Sequence, residues 1–226
     1  MAMLYAGYPD TTSISTVNRQ CSSGLQAVHY IAASIQNGTI EIGVGAGVES
    51  MTRNYGPGAM PSEHSEKILT CGPAADCLMP MGITSENVAK EFRVTREKQD
   101  HFAAASHQKA AQAWKNGWYL EEVVPVTTVI KDKEGKEKTV TVKFDDGIRP
   151  ETTFESLSKL KPAFSDDGCT TAGNASQVSD GAAAVLLMKR RKAKQLGLPI
   201  IGKFVSFAVA GVPPKVMGIG TRSSFM

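Results

Sequence analysis

The chain has 226 residues, 42% of them hydrophobic, which is enough for one or two cored units. A formal net charge of +3 and a pI near 8.6 are compatible with an anionic small ligand and too weak to argue for nucleic acid. No apolar run is long enough to span a bilayer, and residues 1–15 lack the basic-then-apolar layout of a secretory leader. Cys21, Cys71, Cys77 and Cys169 form no Cys-x-x-Cys pair, and no histidine lies at zinc-ligand spacing from them. They read as reduced intracellular thiols with no metal site.

Residues 1–15 show no clear period and lead straight to Val17-Asn18-Arg19-Gln20-Cys21-Ser22-Ser23-Gly24-Leu25-Gln26-Ala27-Val28. Residues 16–20 read as extended chain. Leu25, Val28, Ile31, Ala32 and Ile35 then recur at three- and four-residue spacing, which predicts one face of a helix stopped by Gly38. Cys21 is therefore expected where extended chain meets a helix start. Unpaired N–H groups and the helix dipole favour an anion at such a place, and the thiolate is the nucleophilic form of cysteine. Ser22, Ser23 and Gly24 are small and leave room for a carbonyl to approach. On position alone, a nucleophile and a buried structural cysteine both stay open.

Residues 41–48 predict a buried strand. Its glycines miss the dinucleotide-binding pattern, because Val48 stands where a third glycine belongs and no helix period follows. Glycines in a strand admit close approach of another backbone or a ligand. Residues 53–80 are rich in Gly, Pro, Ser and Met and read as loop with short helical pieces, which places a boundary near Thr52. Thr84 is expected to cap a helix through Phe92, and Thr95 one over residues 96–116, with Phe102, Ala105, Ala110, Ala113 and Trp114 as its stripe and Gly117 as its stop. His101 and His107 on that helix read as surface or satisfied histidines. Residues 122–130 and 138–144 predict an exposed hairpin, and residues 153–160 a short helix. Thr170-Thr171-Ala172-Gly173-Asn174-Ala175-Ser176 reads as a loop whose backbone could lie against a ligand. Residues 181–188 predict a strand covered on both faces, residues 189–196 a basic, solvated helix ending at Gly197, and residues 200–209 a further strand, after which the chain thins out. Strands alternating with helices predict an α/β protein with a largely parallel sheet and an inserted unit.

Several separated stretches, in order, resemble one family. Asn18-Arg19-Gln20-Cys21-Ser22-Ser23-Gly24-Leu25-Gln26-Ala27 is similar to the nucleophile segment of the thiolases. Gly47-Val48-Glu49-Ser50-Met51-Thr52 resembles the strand that follows it there, and Met81-Gly82-Ile83-Thr84-Ser85-Glu86-Asn87-Val88 the start of their inserted loop domain. Lys159-Leu160-Lys161-Pro162-Ala163-Phe164 and residues 171–184 resemble the return from it. Gly147-Ile148-Arg149-Pro150 with Gln177-Val178-Ser179-Asp180-Gly181 looks most like the peroxisomal 3-ketoacyl-CoA branch.

The resemblance implies a partial thiolase-like layered α/β fold. It comprises a nucleophile-bearing part (residues 1–52), an inserted CoA-binding loop domain (53–178), a return (179–198) and the start of a further domain (199–226). It implies acyl transfer between CoA thioesters through an acyl-thioester on Cys21, with CoA as substrate and no separate cofactor. Arg149 is implied at the nucleotide phosphates, and Ser156, Ala172 and Ser176 along the pantetheine path. The alternative for Arg149 is a loop arginine paired with Asp145 or Asp146. A homodimer and a peroxisomal location follow from the resemblance alone, since Ser224-Phe225-Met226 is not the peroxisomal tripeptide. The family's Asn-Glu-Ala-Phe, Gly-His-Pro and Cys-x-Gly motifs do not occur in the 226 residues. Two further readings are therefore carried beside the 3-ketoacyl-CoA thiolase: a non-catalytic piece that binds CoA or pairs with full-length subunits, and a biosynthetic acetoacetyl-CoA thiolase.

Overall fold

The structure, a computed structural model, describes residues 1–56 and 63–224. Residues 57–62, part of the stretch expected to be loop, lie outside the described residues. The helices are α1 (Ala2–Tyr5), α2 (Ser23–Gln36), α3 (Gly72–Ala75), α4 (Met81–Glu91), α5 (Arg96–Lys115), α6 (Phe154–Ser158), α7 (Arg190–Gln195) and α8 (Gly220–Ser224). The strands are β1 (Ile42–Glu49), β2 (Val126–Lys131), β3 (Glu137–Val142) and β4 (Gly181–Met188). The chain folds as two units. One is Met1–Ser62 with Val178–Val209; the other is Glu63–Gln177 with Ala210–Met226.

In the first unit α2 lies on a sheet of β1 and β4. Its C-terminus follows expectation, with Asn37 as C-cap and Gly38 at φ +87. The glycines of β1 explain the close fit. Residues 43, 45 and 47 share one face of the strand by its period of two. A Cβ on Gly45 would stand 2.7 Å from Val28 Cα, one on Gly43 2.8 Å from Ile31 Cγ2, and one on Gly47 3.4 Å from Gly24 Cα. The helix therefore rests through residues 24, 28 and 31. Leu25, expected on the same stripe, falls about 100° away from residue 24 and is 61% exposed.

Three expectations fail here. The sheet is not parallel: β1 and β4 pair antiparallel from Ile42↔Met188 to Glu49↔Gly181. The two strands are separated in sequence by most of the second unit, so no single crossover helix forces them to run the same way. Neither strand is covered on both faces. Val48, Val185 and Leu186 are exposed, because α2 covers one side only. Residues 200–209 form no strand. Ile201 and Val205 face solvent, and the segment is held by side chains instead, with Phe207 stacked on His29 of α2 at 4.0 Å.

In the second unit, Thr95 caps α5 by accepting the Lys98 N–H, and Gly117 ends it at φ +75. The expected hairpin is present: β2 and β3 pair antiparallel, and Asp132 accepts the Glu134 and Lys136 N–H groups across the turn. Thr84 is not a cap. Helix α4 starts three residues earlier, after Pro80, and the Thr84 hydroxyl donates to the Met81 carbonyl from a buried position. The inner face of α5 also differs from expectation. Phe102 is 77% exposed, while Asp100, Ala104 and Ala113 are buried. The chain does not thin out at its end. Val216 is 2% exposed, and Asn87 of α4 donates to the Lys215 carbonyl at 3.0 Å.

Candidate functional site

The turn that carries Cys21 is built by its neighbours. Asn18 Oδ1 accepts the Gln20 N–H at 2.9 Å, and Gln20 takes the left-handed conformation at φ +49, unusual for a residue with a side chain. Ser23 closes the turn. Its hydroxyl accepts the Arg19 N–H at 2.8 Å and donates to the Gln20 carbonyl at 2.6 Å. Ser22 and Ser23 N–H groups reach back to Arg19 and Gln20 carbonyls. Cys21 thus stands exposed, immediately before the N-cap Ser22 of a 14-residue helix, whose start favours negative charge. Exposure alone does not single it out, since Cys71 and Cys77 are exposed too. Cys71, however, precedes a helix of only four residues. Cys169 is half-buried, and its thiol is pushed up first by burial and then by the Glu86 carboxylate.

The far ends of β1 and β4 are tied by Asp180, which accepts the Thr52 N–H at 2.7 Å. The Thr52 N–H and hydroxyl, with lesser help from Met51 and Ser50, hold its carboxyl below the ordinary value of 3.8. A depressed folded value means that the contribution to stability is present above the unfolded value and is lost as pH falls through the folded one. Asp180→Ala should therefore be less stable than the native protein at neutral pH. The gap should close as pH is lowered below about 4, a trend that urea unfolding at a series of pH values will show. A gap that stays constant with pH would remove the carboxylate from the account.

The other four expected site residues all lie in the second unit, and all are exposed. Arg149 is not paired with Asp145 or Asp146; its guanidinium donates to the Gly147 carbonyl at 3.0 Å. Its backbone N–H is held by His107 Nδ1 of α5 at 3.2 Å. His107 is thus satisfied, as expected, and its hold on Arg149 was not foreseen. Ser156 forms a capping box with Thr153, its hydroxyl accepting the Thr153 N–H at 3.1 Å and donating to the Thr153 carbonyl at 2.8 Å. Ala172 and Ser176 stand on the loop after Cys169, and the Ser176 hydroxyl donates to the Gln177 carbonyl at 2.9 Å.

That loop has anchors which the sequence did not reveal. Glu86 accepts the Cys169 and Thr170 N–H groups, each at 2.8 Å. Asn174 accepts the Thr171 N–H at 2.7 Å and donates to Asp100 at 2.9 Å and to the Cys169 carbonyl at 3.0 Å. Glu86 and Asp100 lie 74 to 84 positions away in sequence from the loop residues they hold, beyond the reach of any local pattern. Among the described residues, no group of three His, Cys, Asp or Glu side chains is placed to hold a metal ion, and no helix is long and apolar enough to cross a membrane.

Residues 1–191 match the family described as "Thiolase, N-terminal domain". The peroxisomal 3-ketoacyl-CoA thiolase B of Rattus norvegicus is 58% identical over 220 residues, covering 97% of this chain and 51% of the relative. Among solved structures, the dimeric peroxisomal thiolase of Saccharomyces cerevisiae is similar at a TM-score of 0.84 and 49% identity, over 96% of this chain and 54% of that one. The Bacillus anthracis acetyl-CoA acetyltransferase follows at 0.78 and 37%, over 99% and 59%. The chain therefore spans about half the length of the relatives it matches. With a match over most of its residues and the expected layered α/β architecture, the chain belongs to the thiolase family.

Proposed function

We propose that this chain supplies the nucleophile and part of the CoA cradle of a 3-ketoacyl-CoA thiolase. The observation that carries the reading is the placement of Cys21: exposed, on a left-handed turn, at the start of α2, within a segment of thiolase type. In this reading the Cys21 thiolate attacks the 3-keto carbon of a 3-ketoacyl-CoA. The bond between C2 and C3 breaks, C2 takes a proton, and acetyl-CoA leaves. The shortened acyl group stays on Cys21 as a thioester until a second CoA attacks its carbonyl and carries it away, returning the thiolate. Arg149 meets the nucleotide phosphates. Ser156, Ala172 and Ser176 line the pantetheine path, and the segment 53–178 acts as the CoA-binding loop domain. CoA is a substrate, and the reaction needs no cofactor beyond it.

The 58% identity to a 3-ketoacyl-CoA thiolase supports this reading over a non-catalytic piece. The greater likeness to the yeast peroxisomal thiolase than to the Bacillus acetyltransferase supports it over a biosynthetic acetoacetyl-CoA thiolase. The dimeric description of the yeast neighbour and the peroxisomal names of the relatives support a homodimer acting in fatty-acid β-oxidation in the peroxisome. The test is direct. Purified protein incubated with acetoacetyl-CoA, quenched in acid and digested should yield an acetyl thioester on the Cys21 peptide. Turnover with the acetyl group found on another residue would overturn the assignment.

A further inference from the structure

The four residues expected at CoA sit on three separate pieces of the second unit: the segment around Arg149, the first turn of α6, and the loop 169–176. What sets the last two against each other is a buried polar network centred on α5. Asp100 is fully buried. Its Oδ2 accepts from Arg96 Nε at 2.7 Å, and its Oδ1 accepts from Asn174 Nδ2 at 2.9 Å. Arg96 extends the network to α6, where its Nη2 donates to the Leu157 carbonyl at 2.6 Å and the Leu160 carbonyl at 3.0 Å. Asn174 extends it into the loop, using both amide hydrogens and its oxygen on Asp100, Cys169 and Thr171. Donors facing a carboxylate and a carbonyl fix which way that amide points. The fully buried Thr171 accepts the Gly173 and Asn174 N–H groups through its hydroxyl, at 3.2 Å each. The loop is also pressed against the end of α6, since a Cβ on Gly173 would stand 2.5 Å from Leu160 Cδ1 and 2.6 Å from Leu157 Cδ2.

A buried ion pair is weak evidence for stability, because apolar residues of similar volume commonly do as well. What a fully satisfied polar network adds is one defined geometry. Here its ends lie next to exposed residues: Leu157 adjoins Ser156, Thr171 adjoins Ala172, and Asn174 lies two positions from Ser176. We propose that Asp100 and Asn174 are positioning residues that set the spacing of Ser156, Ala172 and Ser176, and so the path along which the pantetheine of CoA is gripped. This rests on the CoA reading given above. Arg149 is held by other bonds, to Gly147 and to His107 two turns further along the same helix α5, so the nucleotide end is positioned independently of the bonds that Asp100 and Asn174 make.

That independence gives the test. Calorimetry on the purified protein compares two probes: CoA, and 3′-phosphoadenosine 5′-diphosphate, which lacks pantetheine. Asp100→Asn sets an amide between two donors, so one hydrogen bond of the network is lost. It should weaken CoA about tenfold and leave the nucleotide within roughly twofold of its native affinity. Arg149→Ala should weaken both probes. Equal losses of both probes in Asp100→Asn would reduce the network to general stability, and no loss would remove it from binding; either result overturns the proposal while leaving the CoA reading standing. An Arg149→Ala variant that changes neither probe overturns the CoA reading, and the proposal with it. Should Asp100→Asn not fold, Asn174→Ala must show the same selective loss of CoA, and equal or absent losses there count against the proposal in the same way.

Discussion

Under the function proposed above, replacing Cys21 by alanine is expected to lower thiolysis of a 3-ketoacyl-CoA by ~10⁴-fold or more, the scale on which enzymes lose rate when a covalent nucleophile is removed. The fold should not change. The Cys21 side chain is exposed, and the bonds that shape its turn come from Asn18, Ser23 and backbone groups. Near-native unfolding in urea should therefore accompany the loss of rate. CoA affinity should also persist, since the residues assigned to CoA belong to the other unit. A steady-state assay with acetoacetyl-CoA and a longer 3-ketoacyl-CoA reads the effect, and a variant that keeps more than about a hundredth of the rate would show that another group forms the covalent intermediate. The same two substrates separate the degradative from the biosynthetic reading: the proposed function requires the longer one to be turned over.

What could be read beforehand from the residues divides by distance along the chain. The start of α2 and its stop at Gly38 are local events, set by a period of apolar residues and one glycine, and they appear where expected. The hairpin β2–β3 and the Thr95 cap are local in the same sense. The left-handed Gln20 was not legible, because glutamine carries no preference for that conformation; the Asn18 and Ser23 bonds impose it. The antiparallel pairing of β1 with β4 was hidden for the opposite reason. It depends on how a whole intervening unit returns the chain, and a rule drawn from single crossover helices does not apply.

The inner face of α5 shows a different failure. An apolar count selects Phe102 and passes over Asp100, yet Asp100 is the buried one. Charge is a poor guide to exposure where two partners, Arg96 and Asn174, wait to satisfy it. The candidate site divides likewise. Cys21 could be argued from its place at a helix start. Arg149, Ser156, Ala172 and Ser176 came from resemblance, since nothing in an exposed arginine or serine by itself declares a ligand. Their supports, His107, Asp100 and Glu86, act across the fold and were invisible along it.

The glycines of β1 were legible in kind, as places where another backbone comes close, and they give the largest expected effect on stability. Gly45→Val should destabilise the protein by ~3 kcal/mol or more. The new Cβ would stand 2.7 Å from Val28 Cα and 2.8 Å from Val28 N, well inside contact distance. Both are backbone atoms of α2, so no side chain can rotate out of the way and the helix itself must lift from the sheet. Lifting it also shifts the turn that presents Cys21, because Ser22 to Gln26 are bonded into that helix. Two readouts should therefore fall together: the midpoint of urea unfolding and, under conditions where the variant remains folded, the rate at which Cys21 is acylated. Gly181→Ala is the control on the partner strand, where an added Cβ meets nothing within 4 Å and the change should stay within ~0.5 kcal/mol. If Gly45→Val unfolds at the same urea concentration as Gly181→Ala, close approach of α2 to β1 does not hold that helix in place.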